Sequence, residues 1–194
     1  MSVAISETDM PIGFPLEIIP HPSHPVPLKE IGVFHMAQGH HDFTSEGSLT
    51  GYKNELKVGE LISRIDFVRE VRQVEPEGSE DKDLIDLVII MVEGYPIPEV
   101  FIQVKSSRRS VHNFFNSVGK RLDDFDRKSG ENRDKSNDDV EHQRRIAWMK
   151  ANRLMVINGE VKKGRPVSDD YIIGKFMREV EAIIEHERTG HASK

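Results

Sequence analysis

The chain has 194 residues, of which 37% are hydrophobic and 31% charged, and its formal net charge is −6. This length fits one folded domain with extensions, because domains typically span roughly 100–200 residues. The sequence contains no cysteine, which excludes disulfides, a thiol nucleophile and thiolate metal sites. The acidic balance argues against a protein that coats nucleic acid nonspecifically, although a local basic groove is compatible with it.

The sequence predicts a protein without a membrane-spanning segment. Its longest apolar run, residues 84–92, is interrupted by Asp86 and is far shorter than the roughly 18 residues that a membrane-spanning helix needs. Residues 1–20 have neither a basic start nor an unbroken apolar stretch, so we expect no signal peptide. We therefore expect a cytoplasmic protein.

Residues 1–50 form a Pro/His-rich segment that contains six of the ten prolines. Proline cannot continue a helix or supply a central strand, so we predict an extended N-terminal arm, with a short edge strand near residues 31–36. The arm would be anchored to its own domain or to a partner subunit by its apolar residues Ile18, Ile19, Ile31, Val33 and Phe34. Its histidines match no helical zinc-binding spacing, and we expect no zinc site there.

The domain at residues 51–194 begins with helical periodicity. Apolar residues from Leu56 to Val68 recur at helical spacing. Val68, Val71 and Val74 follow at intervals of three, which suggests a strand but leaves a helix open. Residues 84–92 and 100–105 are β-branched and apolar, and we expect two buried strands that pair antiparallel through the turn at residues 94–98.

Residues 111–151 form a charged, helix-compatible insertion in which Ser129-Gly130 is a break. Two exposed helices or a mobile loop both fit this pattern, and the charges from Lys120 to Arg145 are expected to form a solvated face. An apolar strand at residues 154–157 and an amphipathic helix capped near Ser168 complete the chain. These elements predict an α/β fold with one mixed central sheet flanked by helices.

The predicted hairpin contains three polar residues that an apolar core does not need: Asp86 on one strand, and Gln103 and Lys105 on the next. Residues two apart share a face of a strand, so Gln103 and Lys105 project together, away from Ile102 and Val104. A carboxylate, an amide and a divalent cation can satisfy one another in such a place. Oxygen ligands suit Mg²⁺ or Mn²⁺, and the chemistry indicated is phosphodiester hydrolysis.

These residues resemble the PD-(D/E)xK nuclease superfamily, which has the restriction-endonuclease-like fold. The resemblance covers residues 52–107 and rests on Gly59-Glu60 in a helix, Asp86 on a strand, and Gln103-Val104-Lys105 on the following strand. Gln103 stands where the family usually has an acid, as in its Gln-x-Lys subgroup. An amide is a weaker cation ligand than a carboxylate, so the resemblance implies one firmly held metal ion more readily than two.

The resemblance implies a role for each of these residues. Asp86, the amide oxygen of Gln103 and the carbonyl of Val104 would bind the metal, while Lys105 would stabilise the attacking hydroxide or the developing phosphorane charge. Glu60 would reach the metal through a water molecule. Two alternatives stay open: Glu55 competes with Glu60, and Asp83 competes with Asp86.

The nucleic acid would lie near the basic residues that follow the second strand, Arg108, Arg109 and His112. We expect a Mg-dependent endodeoxyribonuclease that acts on DNA, with RNA as the other substrate that the residues allow. We expect a homodimer, because two active sites are the simplest way to cut both strands of a duplex. The alternative is a catalytically inactive relative that acts as a nucleic-acid-binding or structural dimer module.

Overall fold

A computed structural model describes residues 28–29, 32–36, 46–75, 84–130, 138–159 and 167–191. Within these ranges, five strands form one mixed sheet, in the order β1 to β5: β1 (Phe34–His35), β2 (Val68–Gln73), β3 (Leu87–Met91), β4 (Glu99–Lys105) and β5 (Leu154–Asn158). Four helices in the same ranges flank it: α1 (Glu46–Ser63), α2 (Arg108–Ser129), α3 (Asp138–Ala151) and α4 (Asp169–His191). The predicted α/β class and mixed central sheet are confirmed.

The centre of the sheet is an antiparallel meander of β2, β3 and β4. The expected hairpin is present, with Leu87 opposite Ile102 and Ile89 opposite Val100. The uncertain segment at residues 68–74 is a strand. An irregularity between Val68 and Glu70 shifts its register, and Val68 and Val71 are both fully buried. An extra residue in one strand places positions three apart on the same face, which explains the spacing.

The sheet is covered by helices on both faces. α1 and α4 cover one face, where Ile62, Phe176 and Val180 belong to the same apolar core cluster as Ile102 and Ile157 of the sheet. α2 and α3 cover the other face, with a smaller apolar cluster composed of Phe114, Val118, Leu122, Met149, Leu154 and Val156. Because both faces are buried, the central strands consist of nearly continuous apolar sequence, as predicted.

The predicted insertion consists of two helices, α2 and α3, which connect β4 to the parallel strand β5. α2 begins at a capping box between Ser107 and Ser110 and ends at Gly130, whose φ of 76° lies in the left-handed region that glycine adopts easily. The charged run is not a uniformly solvated face. Arg144 and Asp126 form an ion pair at 2.5 Å, with side chains only 15% and 9% exposed.

Part of the predicted arm joins the domain. β1 pairs parallel with β2, and α1 begins at Glu46, inside the segment assigned to the arm. A Cβ on Gly59 would lie 2.7 Å from the ring of Phe34, so glycine at this position lets the ring pack on α1. Of the other expected anchors, Val33 is exposed, whereas Ile18, Ile19 and Ile31 lie outside the described residues.

None of the helices within the described ranges is long and apolar enough to cross a membrane.

Candidate active site

The candidate site lies where the β3–β4 hairpin meets β5. Asp86 immediately precedes β3, whereas Gln103, Val104 and Lys105 are the last three residues of β4. The backbone N–H of Asp86 donates a 2.9 Å hydrogen bond to the carbonyl of Ile102. This ladder contact holds Asp86 across from the end of β4, so the expected grouping of Asp86 with Gln103 and Lys105 is present.

One oxygen of the Asp86 carboxylate accepts two hydrogen bonds from β4. The side-chain amide of Gln103 donates to Oδ2, and the backbone N–H of Val104 donates to the same atom at 2.6 Å. Gln103 is only 5% exposed, so its amide is fixed within the sheet. These contacts occupy Oδ2 and fix the orientation of the carboxylate.

The pKa of the Asp86 carboxyl is raised to about 7, mainly by burial and next by the negative charge of Glu55. The positive charge of Lys105 and the hydrogen bonds from Val104 and Gln103 act in the opposite direction. Removal of a carboxylate from water disfavours its charged form, and a second carboxylate nearby adds repulsion. A cation bound here would relieve both effects.

The acidic residue of α1 that acts on Asp86 is Glu55, the alternative to Glu60. Glu55 Oε2 accepts a 3.0 Å hydrogen bond from Nε2 of Gln73, the last residue of β2. Glu60 is exposed and five positions further along the helix, about 140° around its axis. The structure therefore groups Glu55 with Asp86 and does not bring Glu60 to them. Asp83 lies outside the described residues.

A close approach of α1 to the strand ends positions Glu55. A Cβ on Gly159, the residue after β5, would lie 3.1 Å from Cβ of Asn54 and 3.6 Å from Cγ1 of Val104. Glycine at this position therefore allows the turn of α1 that carries Asn54 and Glu55 to pack on the ends of β4 and β5. A larger residue would push this turn away from Asp86.

Sequence reasoning missed Gln73, which is only 3% exposed and holds Glu55. The sequence pattern that could have identified Gln73 is the one that identified Gln103, which is a polar residue near the end of a strand with β-branched residues. The unusual spacing within β2 hid this signal, since the face on which Gln73 lies depends on the irregularity at Val68 and Glu70.

Lys105 is half-buried on the face of β4 that carries Phe101 and Gln103. Its Nζ lies 6.0 Å from the centroid of the Phe114 ring, on α2. Phe101 packs in the cluster formed by α2 and α3, while Ile102 and Val104 belong to the core beneath α1 and α4. Gln103 and Lys105 therefore lie opposite Ile102 and Val104, as predicted, but their face is not uniformly polar because the apolar cluster of α2 and α3 also covers it.

The predicted nucleic-acid-binding residues lie on the first turns of α2, directly after β4. Arg108, Arg109 and His112 are all exposed. Arg108 and His112 are four positions apart and therefore share one side of the helix. The N-terminus of a helix also carries partial positive charge, so this surface favours anions such as phosphate.

The donor atoms at the site suit a hard cation with few protein ligands. Asp86 and Glu55 supply carboxylate oxygens, and Gln103 and Val104 supply an amide oxygen and a carbonyl. Mg²⁺ commonly uses one or two carboxylates and keeps several water molecules. In the described part of the chain no group of three or more His, Asp or Glu side chains is arranged to hold a metal.

No family model, curated protein or solved structure matches this chain.

Proposed function

We propose that this protein is a metal-dependent endonuclease that hydrolyses DNA phosphodiester bonds and has a restriction-endonuclease-like fold. The observation that supports the proposal most is the grouping of Asp86, Gln103 and Lys105 at one end of a buried hairpin, with Glu55 of the preceding helix beside them. A purely structural hairpin has no need of a partly buried carboxylate that a second carboxylate repels. The order of helix, three-stranded meander, helices and parallel strand also agrees with the fold that the sequence motif implies.

In this proposal Asp86, Glu55, Gln103 and the carbonyl of Val104 hold a Mg²⁺ or Mn²⁺ ion. The bound metal supplies Lewis acidity and lowers the pKa of a coordinated water. Gln103 orients Asp86 through its amide N–H, which leaves Oδ1 of Asp86 and the oxygen of Gln103 for other ligands. Lys105 stabilises the negative charge that develops on the phosphate as the P–O bond breaks.

Arg108 and Arg109 bind the phosphate backbone beyond the scissile bond in this proposal. They follow Lys105 by three and four residues, across the turn that ends at the Ser107 cap. Phosphate contacts position a duplex without reading its sequence. The proposed substrate is therefore a DNA strand that passes the C-terminal end of β4 and the start of α2.

The test compares cleavage of supercoiled plasmid by the wild-type chain and by Lys105→Met, in Mg²⁺ and in EDTA. Lys105→Met keeps the length of the side chain and its packing on Phe114 while it removes the charge, so melting should stay near wild type. We expect Mg²⁺-dependent cleavage by the wild type and at least about a hundredfold slower cleavage by the variant. Equal cleavage by both would refute the assignment of Lys105.

The alternative is an inactive module that binds nucleic acid without cutting it. It is favoured by one observation: the Gln103 amide already satisfies Asp86 by a hydrogen bond, with no metal required. Salt-sensitive DNA binding by the wild type, together with no cleavage in Mg²⁺ or Mn²⁺, would establish this alternative.

A further inference from the structure

Helices α2, α3 and α4 border a cavity of about 400 Å³ that lies against β5 and is open to solvent on one side. Its inner wall is apolar and includes Val111, Phe115, Met149, Leu154 and Val156. Cavities that bind small molecules typically measure about 300–1,000 Å³, with apolar walls and a few polar groups at defined positions. This cavity therefore has the size and lining of a site for one ring system.

The polar residues of the cavity give it a positive charge. Arg108, Lys150 and Lys175 line it, and the only carboxylate among its described lining residues, that of Glu179, pairs with Lys175. Within the described ranges, no carboxylate forms an ion pair with Arg108 or Lys150. Two positive charges beside an apolar wall suit a ligand that combines an apolar ring with an anionic group.

The cavity adjoins the candidate active site. Asn158 lines it and is the register partner of Lys105 in the parallel β4–β5 pair. Side chains of partnered residues project from the same face of a sheet, and neighbouring strands lie about 4.8 Å apart. Arg108 lines the cavity as well and belongs to the proposed phosphate-binding surface. A strand bound at Lys105 would thus pass the mouth of the cavity.

We propose that the cavity binds one nucleotide of the bound strand, with its base unstacked and inserted against the apolar wall. This inference rests on the proposed nuclease function. Phe115 offers an aromatic ring to the base, and the Asn158 amide and the Tyr171 hydroxyl offer hydrogen-bonding groups to its edge. Arg108 and Lys150 bind the adjoining phosphate. An acyl chain would match the wall and the charges but would leave the Tyr171 hydroxyl without a role.

The first test measures calorimetrically the binding of 2′-deoxynucleoside 5′-monophosphates to the full chain in EDTA. Thymidine and inorganic phosphate serve as probes of the two halves of the ligand. We expect the monophosphate to bind at least about tenfold more tightly than either half, because charged hydrogen bonds and ring burial act together. Equal affinities for the monophosphate and inorganic phosphate would overturn the proposal, since the apolar wall would then contribute nothing.

Matched variants locate the binding. Lys150→Gln removes a cavity cation and should weaken monophosphate binding about tenfold. Lys120→Gln changes an exposed lysine of α2 that does not line the cavity, and it should leave binding unchanged. Tyr171→Ala removes a lining ring that is 45% exposed, so the fold should tolerate the change. Wild-type affinity in both Lys150→Gln and Tyr171→Ala would overturn the proposal.

The second test distinguishes a nucleotide of a strand from a free one. A duplex that carries the fluorescent base 2-aminopurine should brighten when the wild type binds it in EDTA, because the base leaves the stack. Tyr171→Ala should bind the duplex with less brightening. DNA binding without any brightening would overturn the proposal, even if plasmid cleavage stands. Monophosphate binding without plasmid cleavage would instead remove the proposed nuclease function and retain the cavity as a nucleotide site.

Discussion

At the scale of single residues, the unusual feature is a carboxylate that the fold holds partly protonated near neutral pH. The pKa of Asp86 is raised to about 7, chiefly by burial and then by Glu55. An unfolded chain returns this carboxyl to its ordinary pKa near 4. The native state therefore keeps a proton that the unfolded state releases between these two pH values.

We predict that Asp86 makes the free energy of unfolding fall as the pH rises. Below about pH 4 the carboxyl is protonated in both the native and the unfolded state. As the pH rises through about 7, the native state must ionise a buried carboxyl, which lowers the free energy of unfolding by at most about 4 kcal/mol. Asp86→Asn keeps an oxygen for the Val104 N–H but stays neutral. In EDTA, urea unfolding should show that the variant gains stability relative to wild type between pH 4 and pH 8.

Parallel stability curves for the two proteins across this range would show that Asp86 has an ordinary pKa. Added Mg²⁺ gives an independent check. A cation that binds only the native state stabilises it, so Mg²⁺ should raise the stability of the wild type at pH 8 and affect Asp86→Asn much less.

At the scale of elements, the rotation of α1 about its own axis determines which of its acidic side chains lies near Asp86. The sequence predicted this helix and favoured Glu60, whereas the acidic residue of α1 that acts on the pKa of Asp86 is Glu55. Helical periodicity does not show how far the helix is rotated about its axis. That rotation depends on Gly59, against which Phe34 packs, and on Gly159, beside Asn54. Both contacts join residues distant in sequence, and neither is visible in a local pattern.

A matched pair of variants tests the choice between the two acids of α1. Glu55→Gln should lower Mg²⁺-dependent plasmid cleavage at least about tenfold and lower the pKa of Asp86, because it removes a nearby negative charge. Glu60→Gln changes an exposed side chain of the same helix and should have wild-type cleavage. The reverse result would assign the role to Glu60, as the family resemblance first suggested.

The pair of helices α2 and α3 is joined by the buried ion pair of Asp126 and Arg144. We predict that Asp126→Ala lowers the free energy of unfolding by about 3 kcal/mol, since it leaves a buried guanidinium without its main partner. The control is Asp124→Ala: Asp124 and Arg127 form an exposed pair with side chains 63% and 77% exposed. That variant should lose less than about 1 kcal/mol in the same urea titration. Equal losses would mean that burial of the pair has no energetic effect.

At the scale of the whole molecule, the sequence predicted most of the fold. The hairpin, β5, α4 and the break at Gly130 follow from apolar runs and turn residues, which are local signals. The sequence did not predict the buried Asp126–Arg144 pair or the cavity, because both require two helices to pack against each other and against β5. The residues of the candidate site stood out only because polar side chains are costly in an otherwise apolar sheet.

The assembly of the molecule is open to a direct test. We predict that the full chain is a dimer, since two active sites are needed to cut both strands in one event. Deletion of residues 1–27 removes most of the proline-rich segment and leaves Leu28 and Phe34, which contact Ile65 and Gly59. Sedimentation should show a folded monomer for this variant, and an equally stable truncated dimer would assign the interface to residues 28–194.

The parallel pairing of β4 with β5 has a consequence for the order in which the protein folds. Asp86 and Gln103 are 17 residues apart, whereas Lys105 and its register partner Asn158, which lines the cavity, are separated by the whole α2–α3 connection. Closing a longer loop costs more chain entropy, so the meander should form before β5 docks. Pulsed hydrogen exchange during refolding should protect the amides of β3 and β4 before those of β5. A growing chain would then bring Asp86 and Gln103 together while the proposed nucleotide cavity still lacks the wall that β5 supplies.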